Sequence, residues 1–135
     1  MPPCRIAIAC QQGLIRALLR NIVSDAVGVK ITAEACSAFE LLGLLKNSVA
    51  DLVLIDIDIL KTHGMKTIRQ IKLLIPAIKI LTVHRSKPHV SHALSLCVDG
   101  CFSIEHARGE LQKAIETIQP GRVEISNSAQ KPSSD

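Results

Sequence analysis

A carboxylate at the end of an otherwise apolar run is the first place where this chain could do chemistry. The stretch Asp51-Leu-Val-Leu-Ile-Asp56-Ile-Asp58 places five apolar residues between Leu52 and Ile57, interrupted only by Asp56, and so predicts a strand buried on both faces. Ligands of open parallel sheets collect outside the carboxyl ends of the strands, which puts Asp56 where such a fold carries its function. The plainer alternative is an Asp that ends the strand and opens a turn into the next helix. Both stand on this stretch alone. Other reactive side chains point less sharply. His84, His89 and His92 could share a face at a spacing compatible with a transition metal, but no Cys or carboxylate is placed to complete a shell, so surface imidazoles are expected. Cys97 and Cys101 straddle a helix, a turn and a buried strand, which favours structural thiols over a redox pair. Lys66, Arg69 and Lys72 form a basic stripe on one helix, expected to be a solvated face rather than a nucleic-acid contact.

Periodicity supplies the elements that must position Asp56. Arg5 to Ala9 reads as a short buried strand, Cys10-Gln-Gln-Gly13 as the turn out of it, and Leu14, Leu18, Leu19 and Ile22 as one face of a helix through Asp25. A second strand is expected from Val29 to Ala33. Ser37, with Glu40 three residues on, has the spacing of a capping box for a second helix whose apolar face is Phe39, Leu42 and Leu45. After the strand ending at Ile57, a loop from Asp58 to Gly64 leads to a helix from Met65 to Ile75, stopped by Pro76. Ile78 to Val83 makes a fourth strand, Pro88 to Leu96 a helix, Gly100 to Ile104 a fifth strand, and Glu110 to Ile118 a last helix. Pro120-Gly121 breaks that helix, and 126–135, polar and small, is expected to be a disordered tail or the start of a linker. Strands and helices alternating over short loops predict an α/β fold, with a doubly wound parallel sheet of five strands and five helices. For this count the common strand order is 2-1-3-4-5, flavodoxin-like, with its switch point between the first and third strands. The Cys10-Gln11 turn and Asp56 should then be neighbours.

Composition narrows the function classes. A chain of 135 residues, 47% hydrophobic and 21% charged, suffices for one globular domain, expected over 4–125. With two Phe and no Trp or Tyr the core must be aliphatic, and base stacking on aromatic residues is excluded. The net charge of +4 is scattered and mild, a weak pointer to an acidic partner at most. Five cysteines in no regular pattern fit reduced thiols, and the opening apolar run is too short for a signal peptide or a span, so a cytoplasmic protein without a membrane partner is expected.

Several stretches at consistent spacing then carry a likeness: Arg5-Ile-Ala-Ile-Ala with Leu14-Ile-Arg16 after the turn, Asp51 to Asp56 followed by Gly64-Met65, Val98-Asp99-Gly100, and Pro120-Gly-Arg-Val-Glu-Ile-Ser126. Over roughly Arg5 to Ser126 the chain resembles the receiver domain of two-component response regulators, most closely those that precede LuxR-type helix-turn-helix output domains. The resemblance implies that Asp56 is the phosphoacceptor for a sensor histidine kinase. It also implies a Mg²⁺ site fed by two acidic residues after the first strand, but those positions hold Cys10 and Gln11. A thiol is a poor ligand for a hard cation, and a neutral amide brings no charge. Asp58, two after the acceptor, offers an extra carboxylate in partial compensation, so the weak metal set is Asp56, Asp58 and Gln11.

The family's lysine at the end of the fifth strand aligns with Ile104, and its aromatic switch residue with Cys101. Its switch hydroxyl aligns with Thr82 counted back from Asp99-Gly100, or with His84 counted forward from Pro76; Thr82 is the expectation. Leu60 stands where the loop after the acceptor usually has Pro, and Cys10 lies at the mouth where a phosphoryl group would sit. These departures lead to the expectation of a degenerate or pseudo-receiver, not an enzyme. It would have no cofactor or weakly bound Mg²⁺, and would act through contacts with a kinase or other signalling protein, or as a homodimer. DNA would be reached only through an output domain outside this chain. The alternatives are a conventional Mg²⁺-dependent phosphoacceptor controlling transcription and, from another class, a flavodoxin-like small-molecule-binding enzyme. The latter needs a Gly-, Ser- or Thr-rich phosphate cradle, and Cys10-Gln-Gln-Gly13 has one Gly and no hydroxyl.

Overall fold

The structure is a computed structural model that describes residues 2–84 and 98–118. Within them, β1 (Cys4–Ala9), α1 (Gly13–Asp25), β2 (Val29–Ala35), α2 (Ala38–Leu45), β3 (Leu52–Asp56), α3 (Gly64–Leu74), β4 (Lys79–His84), β5 (Gly100–Ser103) and α4 (Ala107–Ile118) follow one another along the chain. All strand pairs are parallel and the order is β2-β1-β3-β4-β5, as the alternation of strands and helices predicts. The described residues contain four α-helices; the expected helix at 88–96, with His89, His92 and Cys97, lies outside them, as do the Pro120-Gly121 break and the 126–135 tail.

β3 is central, paired with β1 on one side and β4 on the other, and each of Leu52, Val53, Leu54 and Ile55 is fully buried. Its alternating side chains feed two separate apolar layers. Val53 and Ile55 pack with Leu41, Leu45, Ile68 and Ile71 of α2 and α3. Leu52 and Leu54 pack on the other face with Leu19, Ile22 and Val23 of α1 and Leu111 and Ile115 of α4. Truncating Leu52, Leu54 or Ile55 to Ala would cost roughly 2–5 kcal/mol in transfer and cavity terms.

Among the boundaries that differ from the sequence expectation, four have a plain local reason. β2 runs two residues further, to Ala35, because a bulge between Ile6 and Ala7 on the β1–β2 seam shifts register by one and keeps Glu34 and Ala35 paired. β3 stops at Asp56, whose side chain accepts from the Asp58 amide and caps a 3-10 turn over Ile57–Leu60, so Ile57 belongs to the turn. β5 stops at Ser103, because Ile104–His106 winds into another 3-10 turn in which Ser103 Oγ and His106 Nδ1 are 2.8 Å apart. α4 begins at Ala107, which is fully buried against the α1 layer. The Ser37 cap forms as expected, with the Glu40 amide donating to Ser37 Oγ at 3.1 Å, while Glu40 Oε1 takes its return bond from the Cys36 amide, one residue before the cap, at 2.7 Å. Gly28, at φ 75, makes the left-handed turn into β2 that residues with a side chain rarely adopt.

The amino ends of β1 and β3 are clamped by one carboxylate. Asp51 Oδ2 accepts from the Arg5 amide at 2.8 Å and from Arg5 Nε at 3.1 Å, while Oδ1 accepts from Nη2 at 3.0 Å. Burial opposes ionisation of Asp51, but the Arg5 bonds outweigh it and hold the carboxyl below its ordinary value of 3.8. Because the folded value is depressed, the stabilisation is present in full above the unfolded value and lost as pH falls through the folded one. Asp51→Ala is expected to lower unfolding free energy by roughly 1–2 kcal/mol at pH 7, the pair being half exposed, with the difference from wild type shrinking below about pH 4. Urea melts at pH 7 and pH 3 check this; an undiminished difference at pH 3 would contradict it.

Candidate functional site

At the carboxyl edge of the sheet, the β1 exit and the β3 exit meet, as adjacent central strands must. Cys10, fully buried, is held beside β2 by its amide bond to Ala35 O at 2.9 Å, and its thiol lies 3.4 Å from Asp56 Oδ2 and 3.6 Å from Gln12 O. Asp56 is only 4% exposed, and its other oxygen, Oδ1, accepts from the Asp58 amide at 3.1 Å. Oδ1 therefore has a backbone donor, while Oδ2 shares the single thiol proton with Gln12 O. Burial pushes the Cys10 thiol up to about 11, and the facing Asp56 charge adds to the rise, so the thiol is neutral at pH 7 and keeps its proton to donate.

The remaining sequence-selected residues divide. Gln11 is exposed in the turn beside Cys10. Asp58 is half-buried and its Oδ1 pairs with Lys61 Nζ at 3.1 Å, across one turn of the 3-10 segment. Leu60 is fully buried and packs with the α3 layer. Ile104, half-buried, packs with the α1 and α4 layer. Thr82 is level with Ile55 on β3 and with Cys101 on β5, so the three share a face of the sheet, and Thr82 Oγ1 donates to Gly100 O at 3.3 Å. Asp56 is level with Val83, on the alternate face, and the buried His84 is level with Ser103 one step further out. Cys10, Asp56 and Asp58 are thus brought together, while Thr82 is directed into the opposite layer. Among the described residues no group of three or more His, Cys, Asp or Glu side chains is arranged to hold a metal ion.

Two cations at this edge escaped the sequence reasoning. Arg16 reaches back from the first turn of α1 to donate from Nη1 to Cys10 O at 2.8 Å, and its charge also acts on Cys36, just after β2, and on Glu40 in the first turn of α2. A basic residue so near a helix N-terminus opposes the helix dipole, which was the available signal that Arg16 has work to do elsewhere. Lys61, three residues after Asp58, was legible as an (i, i+3) ion pair only once the loop was known to be helical. In the basic stripe, Lys72 is a structural clamp: its Nζ donates to Ile78 O at 2.6 Å and pairs with Asp99 Oδ2 at 3.2 Å.

Comparison with known proteins agrees with this frame. Residues 6–116 match the family model of the response regulator receiver domain, and the chain belongs to that family. The response regulator UvrY of Escherichia coli (strain K12) is 28% identical over 111 residues, covering 81% of this chain and 51% of UvrY. The chain spans about half the length of the curated relatives it matches. Similar solved structures include a chain from the crystal structure of the P1 domain of CheA3 in complex with CheY6 from R. sphaeroides, with TM-score 0.73 and 24% identity over 89% of this chain and 99% of that one. A two-component response regulator of the LuxR family from Aurantimonas sp. SI85-9A1 matches with TM-score 0.73 and 24% identity, covering 88% of this chain and 86% of that one. At these identities the structural matches speak for the fold. Among the described residues no helix is long and apolar enough to cross a membrane.

The thiols should report the burial of this edge. In native protein at pH 8, iodoacetamide is expected to modify the exposed Cys36 and to spare Cys10 until denaturant is added, as read by peptide mass. Native-state modification of Cys10 at a rate near that of Cys36 would contradict the buried, proton-bearing thiol.

Proposed function

We propose that this receiver signals through protein contacts and is phosphorylated at Asp56 weakly or not at all. The observation that carries this is that Asp56 Oδ1 takes the Asp58 amide while Oδ2 faces the neutral Cys10 thiol at 3.4 Å. An incoming phosphoryl group must displace that thiol, and its charge then needs a cation that the donor set does not invite. The residues at this edge fit Mg²⁺ poorly: Cys10 is a neutral sulfur, Gln11 a neutral amide, and the Asp58 carboxylate is already paired with Lys61. Ile104 brings no charge at the position where the family's lysine would stand, and each missing charge-assisted contact removes roughly 1.5–3 kcal/mol. Two such losses lower acceptor reactivity by several orders of magnitude. Thr82 and Cys101 serve in this reading as sheet-packing residues, and Asp56 as the cap of the 3-10 turn. Partners are then a histidine kinase or another signalling protein, or a second copy of the chain, and any DNA contact belongs to an output domain.

A conventional acceptor is the competing reading, and Lys61 and Arg16 favour it, being cations at the same edge. Incubation with acetyl phosphate and Mg²⁺, followed by intact mass, separates the two. Wild type is expected to gain no stable phosphoryl adduct, and Cys10→Asp/Gln11→Asp/Ile104→Lys to gain one that Asp56→Asn removes. A wild-type adduct lost in Asp56→Asn would overturn the proposal, and its further loss in Lys61→Met would assign the phosphoryl-binding charge to Lys61.

A further inference from the structure

Away from the Asp56 edge, α2 and α3 leave an apolar groove of ≈ 460 Å³ between them. Phe39 is 88% exposed, Leu73 80% and Leu74 38%, and all three line it. Its size falls among small-molecule pockets, roughly 300–1,000 Å³. Its most exposed walls are nevertheless large side chains standing in solvent, which suits a long apolar face laid across the groove better than an enclosed ligand.

Gly43 says how close that face must come. It lines the groove from within α2, where glycine costs about 1 kcal/mol of helix stability relative to alanine. A Cβ built there meets nothing within 4 Å, so no contact among the described residues requires the glycine. The missing side chain instead leaves the α2 backbone open to approach from outside. Charge selects the occupant. Lys46 and Lys66 stand on the rim and, among the described residues, no acidic side chain lines the groove, so a two-fold pairing of identical copies would set lysines against lysines.

We infer that the α2–α3 groove is a docking site for an acidic amphipathic helix of a partner protein. The apolar stripe of that helix covers Phe39, Leu73 and Leu74, its backbone crosses Gly43, and its flanking carboxylates meet Lys46 and Lys66. This surface is independent of Asp56 and of whether Asp56 is phosphorylated.

The probe is a fluorescein-labelled helical peptide of about 16 residues, roughly 24 Å long, with leucines at i, i+3, i+4 and i+7 and glutamates on both flanks. Fluorescence anisotropy is expected to show saturable, salt-weakened binding. Gly43→Leu should weaken it at least about tenfold while leaving the thermal midpoint equal to or above wild type, because the new side chain fills the groove and improves the helix. Leu73→Asp should also weaken binding, and Lys46→Glu/Lys66→Glu should transfer preference to a peptide with lysines in place of the glutamates. No saturation up to millimolar peptide, equal binding of acidic and basic peptides, or unchanged binding by Gly43→Leu would each overturn the inference. So would a Leu73-dependent dimer in sedimentation, or binding to phosphatidylglycerol vesicles in place of the peptide.

Discussion

A carboxylate at the end of a strand buried on both faces must find its hydrogen-bond donors inside the chain or remain in contact with water. Asp56 is almost wholly buried, and its two oxygens meet the Asp58 amide and the Cys10 thiol. The first bond is local and sets the 3-10 turn that carries the chain away from the sheet. The second is long-range and exists only because β1 and β3 are adjacent in the strand order. A thiol is a weak donor, so the arrangement satisfies the carboxylate at modest strength and excludes what a charged neighbour would attract.

The sheet distributes the other residues by parity. Alternation along β3 sends Val53 and Ile55 to the α2–α3 side and Leu52 and Leu54 to the α1–α4 side, and registered partners on β4 and β5 follow. Thr82 and Cys101 share the side of Ile55, while Val83 and Phe102 take the other. Any relay from Asp56 to Thr82 therefore has to cross the sheet. The basic side chains nearest the edge are held by partners of their own, Arg16 by a carbonyl and Lys61 by Asp58.

The architecture was legible because β1, β3 and β4 are nearly uninterrupted aliphatic runs and α1 and α3 carry apolar residues at helical spacing. The meeting of Cys10 with Asp56 followed from strand order alone. A turn opened by Asp56 was legible as one of two readings, but its 3-10 form was not, since no spacing in Ile57-Asp-Ile-Leu60 distinguishes it from an irregular loop. Nor was the start of α4, where Gly109 masks a helix anchored by the buried Ala107. Thr82 and His84, two residues apart, share a face, and which of them stands nearer the level of Asp56 depends on pairing register, a tertiary property that counting along the chain leaves open. Arg16 and Lys61 were hidden for a related reason: their partners are defined by loop and helix geometry rather than by spacing. Glycine carried a different kind of information. Gly43 breaks a local preference with no compensating contact among the described residues, and such a break points outward to a surface rather than inward to the core.

Titration with Mn²⁺, a paramagnetic stand-in for Mg²⁺, followed through amide NMR signals, addresses the Asp56 edge most directly. Asp56 bound to donors of its own chain, beside a neutral thiol, predicts no selective broadening of Cys10, Gln11, Ile57 and Asp58 at low millimolar metal. Saturable broadening confined to those amides in wild type, and absent in Asp56→Asn, would contradict it.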